Sequence, residues 1–227
     1  VELVAEHPEW AFANVNLRPY YAEGSKTLAY EIAEQLGWHT PDQVVVPVAS
    51  GSQLTKVAKG FKELIELDLV EGGAPVLFGA QAAGCSPIAT AFAAGADVIT
   101  PQRPNTIARS LAIGNPADAP YVLDELRARG GDCGAVPDDE VLECIELLAR
   151  TEGVFAETAG GVTIASLRQL LGRGSIDPDK SIVAIISGHG LKTLDVLEDR
   201  ATFSATIAPS LAAAEEALGF RSLVAAS

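Results

Sequence analysis

The sequence predicts an α/β protein, a mostly parallel sheet flanked by helices. Three observations predict it. Residues 43–48, 76–80 and 181–187 are short runs rich in β-branched and apolar residues, and they read as strands buried on both faces. Stretches with helical periodicity separate them, and strands alternating with helices build βαβ units. Two strand ends open into small-residue loops, Ala49–Gln53 and Ser187–Gly190. Ligands in such sheets sit beyond the carboxyl ends of the strands, so the two loops can face one ligand.

The elements follow in order. Residues 1–13 open with a short polar helical pattern and reach Trp10-Ala-Phe-Ala. Residues 14–21 are a polar and aromatic loop broken by Pro19. Ser25 begins a helix in which Leu28, Ile32 and Leu36 recur every four residues, Ala29 and Ala33 widen the stripe, and Gly37 supplies the stop. After the first strand, a helix from Ser52 carries Leu54, Val57, Ala58, Phe61, Leu64 and Ile65 on one stripe. Its Lys56, Lys59 and Lys62 are expected on a solvated face. The second strand leads through Gln81-Ala-Ala-Gly-Cys-Ser-Pro into a helix at 87–94, then a short strand at 97–100 and a short helix at 104–113. Helices are expected at 119–129, from 137–138 onward, at 159–171 and at 209–218, with a very short strand at Val136 and a strand-like stretch at 154–156.

Bulk properties narrow the function. The 227 residues suit one large domain, and 48% apolar with 20% charged residues suits a packed globular protein. A net charge of −14 argues against nucleic acid or an anionic membrane as the main partner. Cys85, Cys133 and Cys144 match neither a disulfide framework nor a zinc knuckle, and read as reduced thiols in a cytoplasmic protein. No apolar run approaches a membrane span, and no metal site is expected. The chain contains no methionine and opens on Val1, so it is expected to be part of a longer translation product.

The chemistry concentrates at the strand ends. At residues 44–55 a β-branched run passes through a small-residue loop into a helix. Backbone N–H groups and the positive end of the helix dipole converge there, which suits a phosphate. Ala49-Ser-Gly-Ser-Gln matches neither the P-loop nor the dinucleotide fingerprint, so an ordinary tight turn stays open on these residues alone. Ser187 presents either a hydroxyl aimed at a ligand or a helix cap. His189 has no local carboxylate or nucleophile and reads as an exposed or capping loop histidine. His7 and His39, beside turns, read as solvated. Asn14, Asn16, Arg18 and Lys26 cluster ahead of a helix start, where cationic groups suit an oxyanion. The signatures of a serine-hydrolase elbow and of a zinc protease are absent.

Six stretches carry a family resemblance. They are Asn14-Val-Asn-Leu-Arg-Pro-Tyr-Tyr-Ala-Glu-Gly-Ser-Lys-Thr, Val46-Pro-Val-Ala-Ser-Gly-Ser-Gln-Leu-Thr-Lys, Gly79-Ala-Gln-Ala-Ala-Gly-Cys-Ser-Pro-Ile-Ala, Ser110-Leu-Ala-Ile-Gly-Asn-Pro, Glu157-Thr-Ala-Gly-Gly-Val-Thr and Ser187-Gly-His-Gly-Leu-Lys-Thr. In this order they resemble threonine synthase, a pyridoxal-phosphate enzyme of the tryptophan-synthase-β fold type, and the similarity extends over nearly the whole chain.

The resemblance implies a carbon–oxygen lyase acting on a phosphate, which converts O-phospho-L-homoserine and water to L-threonine and phosphate with pyridoxal 5′-phosphate as cofactor. It implies that Ala49, Ser50, Gly51, Ser52 and Gln53 hold the cofactor phosphate. Ser187 would bond the pyridine nitrogen, and Asn16, Arg18 and Lys26 would sit near the substrate phosphate. It also implies the large domain of the fold type II enzymes, truncated at its amino end. Residues 1–16 would be a remnant of the small domain and 17–227 a partial large domain.

Two departures from the family pattern stand out. The Schiff-base lysine of the family lies in a Ser-Phe-Lys-Asp-like motif. None of Lys26, Lys56, Lys59, Lys62, Lys180 and Lys192 lies in such a context, so the chain alone is expected to be inactive. The Asn-Gly-Leu-Lys form common after the strand-end hydroxyl is His189-Gly-Leu-Lys here. The alternatives are a stand-alone phosphate-binding module without catalysis and another pyridoxal-phosphate lyase such as threonine dehydratase. The expected partner is a small-molecule substrate, with a homodimer open.

Overall fold

The computed structural model describes residues 2–10, 19–198, 200 and 205–219. The chain divides into two compact units, residues 1–193 and 194–227. In the first unit, four strands form one parallel sheet in the order β3-β2-β1-β4: β1 (Gln43–Pro47), β2 (Val76–Ala82), β3 (Cys133–Val136) and β4 (Ile182–Ala184). In the centre, Val44 pairs with Leu77 and Val45 with Phe78.

Helices α1 (Glu2–Ala5), α2 (Pro19–Gly24) and α3 (Thr27–Gln35) precede the sheet. The others in this unit are α4 (Ser52–Glu66), α5 (Pro87–Ala93), α6 (Ala119–Ala128), α7 (Asp138–Glu152) and α8 (Thr158–Gly172). Alternate strand residues decide which helices each face receives. Val44, Val46, Leu77 and Cys133 join one buried cluster with residues of α3, α4, α5 and α6. Helix α8 crosses β1, β2 and β3, and α7 packs on α8. The apolar stripe of α4 buries Leu54, Val57, Phe61 and Leu64 as its periodicity predicts.

The second unit contains α9 (Leu211–Leu218), whose N-terminus is capped by the Ser210 hydroxyl accepting from the Ala213 N–H at 3.3 Å. The division between units falls beside Thr193, where a 3-10 segment at Gly190–Leu197 is kinked (φ −135°, ψ 40°).

Several expectations change. The run at 181–187 is not a fully buried strand. β4 spans three half-buried residues at an edge and pairs only with Gln43–Val45 of β1. An apolar run reports composition, whereas burial on both faces also needs neighbours that an edge does not have. Residues 97–100 form no strand. The Arg127 guanidinium ties this segment to the end of α6, donating to Ala96 O at 2.6 Å and pairing with Asp97 at 2.8 Å. The helix expected at 104–113 contracts to one 3-10 turn, Arg109–Leu111. The stretch 154–156 contributes a single bridge, Ala156 to His189. Val136 does end a strand, β3. The loop expected to run through residue 21 gives way to α2 at Pro19, where the fixed φ of proline suits a first helical position.

Candidate functional site

The first loop is fixed by what flanks it. β1 is buried along its whole length and delivers the chain at Val48. There the buried Gln81 donates from Nε2 to Val48 O at 3.3 Å, while its Oε1 accepts from Ile88 and Ala89 N–H at 3.1 and 3.0 Å. One side chain thus caps α5 and pins the entrance to the loop. Asp118 N–H donates to Ser50 O at 3.0 Å. Burial pushes the Asp118 carboxyl up, with the charge of Lys56 opposing.

Gly51 is the N-cap of α4 with φ +98°, in the left-handed region that favours glycine. A Cβ there would stand 2.7 Å from Val122 Cγ2 and 3.0 Å from Asp118 Cβ. Glycine is therefore required twice over, by dihedral and by space. The N-cap Gly51 offers no side chain to α4, and Ser52 N–H makes only a long contact, donating to Ser50 Oγ at 3.4 Å. The Ser52 hydroxyl is buried without a hydrogen-bond partner. Buried hydroxyls and unmet helix N–H groups call for an acceptor.

The second loop faces the same space. Ala49, Ser50, Gly51, Ser52, Gln53 and Ser187 all line one cavity of about 330 Å³. Ser25, Ser110, Leu111, Glu157 and Ala159 complete most of its wall. Among the described residues lining it, Glu157 alone is ionisable, and its carboxylate pairs with Lys192 Nζ at 2.7 Å. Thr158, between two lining residues, also has a buried hydroxyl without a partner.

The other candidates separate. Asn16 and Arg18 lie outside the described residues. Lys26 follows cavity-lining Ser25, but its ammonium sits between Glu23 at 2.6 Å and Glu63 at 2.7 Å. Glu63 also accepts from the Tyr30 hydroxyl at 2.9 Å, and Lys59 pairs with Glu23 at 2.7 Å. Hydrogen bonds from Lys26 and Lys59 hold the Glu23 carboxyl down at about 2, and Lys26 itself is raised. The lysine row of α4 is thus an ion-paired face rather than only a solvated one, since Lys62 also pairs with Glu66 at 3.7 Å. Among the described residues no lysine lines the cavity, and no group of His, Cys, Asp or Glu side chains could hold a metal ion. His189 is exposed and caps its own loop, with Nδ1 accepting from Leu191 N–H at 3.1 Å. His39 is exposed as expected and pairs with Glu71 at 3.1 Å.

Sequence reasoning assigned no role to Glu157 or Ser110, although it quoted the motifs that contain them. The available signal for Glu157 was its place just before the small-residue run Thr158-Ala-Gly-Gly, an N-cap position.

A small-residue loop at a helix start and a hydroxyl beyond a second strand end line one cavity of an α/β protein, an arrangement that suits a phosphate-bearing ligand. The residues present fit pyridoxal phosphate: the orphaned Ser52 hydroxyl and the cradle at Gly51 suit its phosphate, and Ser187 supplies a hydroxyl for a ring nitrogen. The chain belongs to the family of pyridoxal-phosphate dependent enzymes, whose family model matches residues 1–188.

Among curated proteins it is similar to threonine synthases. That of Methanocaldococcus jannaschii is 45% identical over 181 residues, covering 79% of this chain and 44% of the relative. That of Methanosarcina acetivorans is 39% identical over 197 residues, 85% and 48% of the two chains. That of Synechocystis is 32% identical over 222 residues, 97% and 55%. The chain thus spans about half the length of the curated relatives it matches. Maize serine racemase shares the fold with a TM-score of 0.69 at 22% identity, covering 87% of this chain and 59% of that one. Threonine deaminase isoform 2 from Solanum lycopersicum shares it with a TM-score of 0.68 at 20% identity, over 89% and 56%.

Proposed function

We propose that this chain holds pyridoxal 5′-phosphate within a threonine synthase, an enzyme that converts O-phospho-L-homoserine and water to L-threonine and phosphate. The observation that carries the reading is the convergence of Ala49–Gln53 and Ser187 on one cavity with an unpartnered Ser52 hydroxyl. The threonine synthase relatives at 32–45% identity favour this activity over that of a dehydratase.

In this reading the loop N–H groups and the Ser52 hydroxyl donate to the cofactor phosphate at the positive end of α4. The Ser187 hydroxyl donates to the ring nitrogen. As a neutral hydroxyl, unlike a carboxylate, it leaves that nitrogen largely unprotonated. When bound, the cofactor supplies an electron sink for negative charge developing on the substrate. Asn16, Arg18 and Lys26 serve the substrate phosphate, with Glu23 and Glu63 orienting the Lys26 ammonium.

All six lysines are outside the cavity wall, so the covalent bond to the cofactor needs a lysine from elsewhere in the enzyme. Residues 1–16 belong to its small domain and 17–227 to its large domain. A cytoplasmic compartment is part of this proposal, by the chain's likeness to threonine synthases. Separately, no described helix is long and apolar enough to cross a membrane.

The test is binding of pyridoxal phosphate and of inorganic phosphate to the chain, followed by fluorescence and calorimetry. Saturable binding of both, competitive with each other, is the expected result. Binding of neither overturns the reading. The chain alone forms no threonine from O-phospho-L-homoserine; formation at an ordinary turnover rate overturns the assignment of the lysine.

A further inference from the structure

We propose that the Glu157–Lys192 ion pair is a latch that fixes the Ser187 loop against the start of α8, which makes Lys192 a positioning residue of the site. Glu157 and Ser187 are thirty residues apart and line the same cavity. Between them runs a set of ties. Glu157 N–H donates to Gly188 O at 2.9 Å, and Gly190 N–H donates to Phe155 O at 2.9 Å. Ala156 and His189 form an isolated bridge. The Glu157 side chain folds onto the same segment, so closely that a Cβ at Gly188 would collide with its Oε1.

The burial of the two partners is unequal. The Glu157 side chain is 5% exposed and that of Lys192 is 62% exposed. An exposed pair contributes little, but a carboxylate almost wholly removed from water depends on its counter-charge. Lys192, two residues beyond the loop, reaches that carboxylate at 2.7 Å. The segment that carries Ser187 is therefore tied to Glu157 both through its backbone and through the Lys192 side chain.

β4 needs such a device. It has three residues and one neighbour, so the sheet itself does little to aim Ser187. With the proposed function, on which this part rests, the latch orients the Ser187 hydroxyl toward the ring end of the cofactor. The phosphate end, at Ala49–Gln53, is independent of it.

Amide hydrogen exchange on the ligand-free chain tests the latch. Lys192→Met raises exchange at Glu157 and Gly190 about tenfold and leaves β1 and β2 at wild-type rates. Lys192→Arg stays close to wild type. The double variant Glu157→Gln with Lys192→Met returns part of the protection, because no unpaired charge remains buried. Unchanged exchange at Glu157 and Gly190 in Lys192→Met overturns the latch. Should that variant lose its fold, with β1 exposed as well, Glu157→Gln reads the same two amides: a local rise supports the latch and wild-type rates overturn it.

Ligand binding then tests its role. Lys192→Met weakens pyridoxal phosphate about tenfold and leaves inorganic phosphate unchanged. Equal affinity for pyridoxal phosphate in variant and wild type overturns the role toward Ser187, while exchange still decides the latch. Binding of neither ligand by the wild type defeats the proposed function and leaves the exchange result in force.

Discussion

The two strand-end loops look alike in sequence and differ in what holds them. Ala49–Gln53 leaves a central strand buried along its whole length and enters a helix of fifteen residues. Its shape is set by close packing: Gly51 lies against Val122 and Asp118, and Ser50 is tied to Asp118. Ser187–Gly190 leaves a three-residue edge strand, and Ser187 is exposed. Its shape is set by partners 31 to 35 residues earlier, Phe155 and Glu157. One loop is held by the core that surrounds it. The other is held by specific polar ties.

The comparison breaks most sharply at Gly51. Gly51→Val adds a side chain at φ +98° where Val122 already lies 2.7 Å from the Cβ position. Left-handed strain and overpacking together cost about 3 kcal/mol. A urea midpoint lowered accordingly, with phosphate binding lost, is expected; an unchanged midpoint would show that the core gives way there.

At the second loop the corresponding change is milder. Gly188→Ala meets a carboxylate at the end of a side chain rather than packed core, and costs about 1 kcal/mol by displacing it. Exchange should rise at Glu157 and Gly190 but not in β1; a rise throughout the sheet would erase the distinction between the loops.

Ser52→Ala sharpens the contrast between stability and binding. Removing an unpartnered buried hydroxyl leaves thermal stability within about 0.5 kcal/mol or slightly raises it, while phosphate affinity falls about tenfold. A clear loss of stability without ligand would mean that the hydroxyl has a structural partner.

The smallest effect concerns acid. Hydrogen bonds from Lys26 and Lys59 hold the Glu23 carboxyl down from 4.5 to about 2, and Glu63 is lowered chiefly by Lys26. A carboxylate whose folded pKa is depressed contributes stability above the unfolded value and loses it as pH falls through the folded one. Stability beside the first loop should therefore decline between pH 4.5 and about 2, and Glu23→Gln should flatten that decline. Identical acid profiles for variant and wild type would remove the network from consideration. Lys26 is largely covered, but Glu23 and Lys59 are exposed, which keeps the effect small.

Much of this was legible residue by residue. Continuous apolar runs located β1 and β2, and an apolar stripe at helical spacing located α4, because such patterns are displayed directly along the chain. The small-residue loop at 49–53 was legible because few other residues suit a tight strand-to-helix passage. The segment at 97–100 misled because Val98 and Ile99 favour a strand, yet Val98 is 77% exposed and Arg127 holds the segment as a loop. Lys26 was legible as a cation beside a helix start, but its carboxylate partner Glu63 lies 37 residues away.

The sequence by itself determined the α/β class, the order of the main elements and the two loops that could receive a ligand. It did so because helix and strand impose different periods on the same chain. Only the tertiary structure decided that β4 is an edge, that Ser187 shares a cavity with Ala49–Gln53, and that Glu157 and Lys192 meet across the second loop. Those relations depend on which strand pairs with which, and Asp42 meets Ser181 across 139 residues. No local spacing encodes a neighbour at that distance; the sheet supplies it when the chain closes.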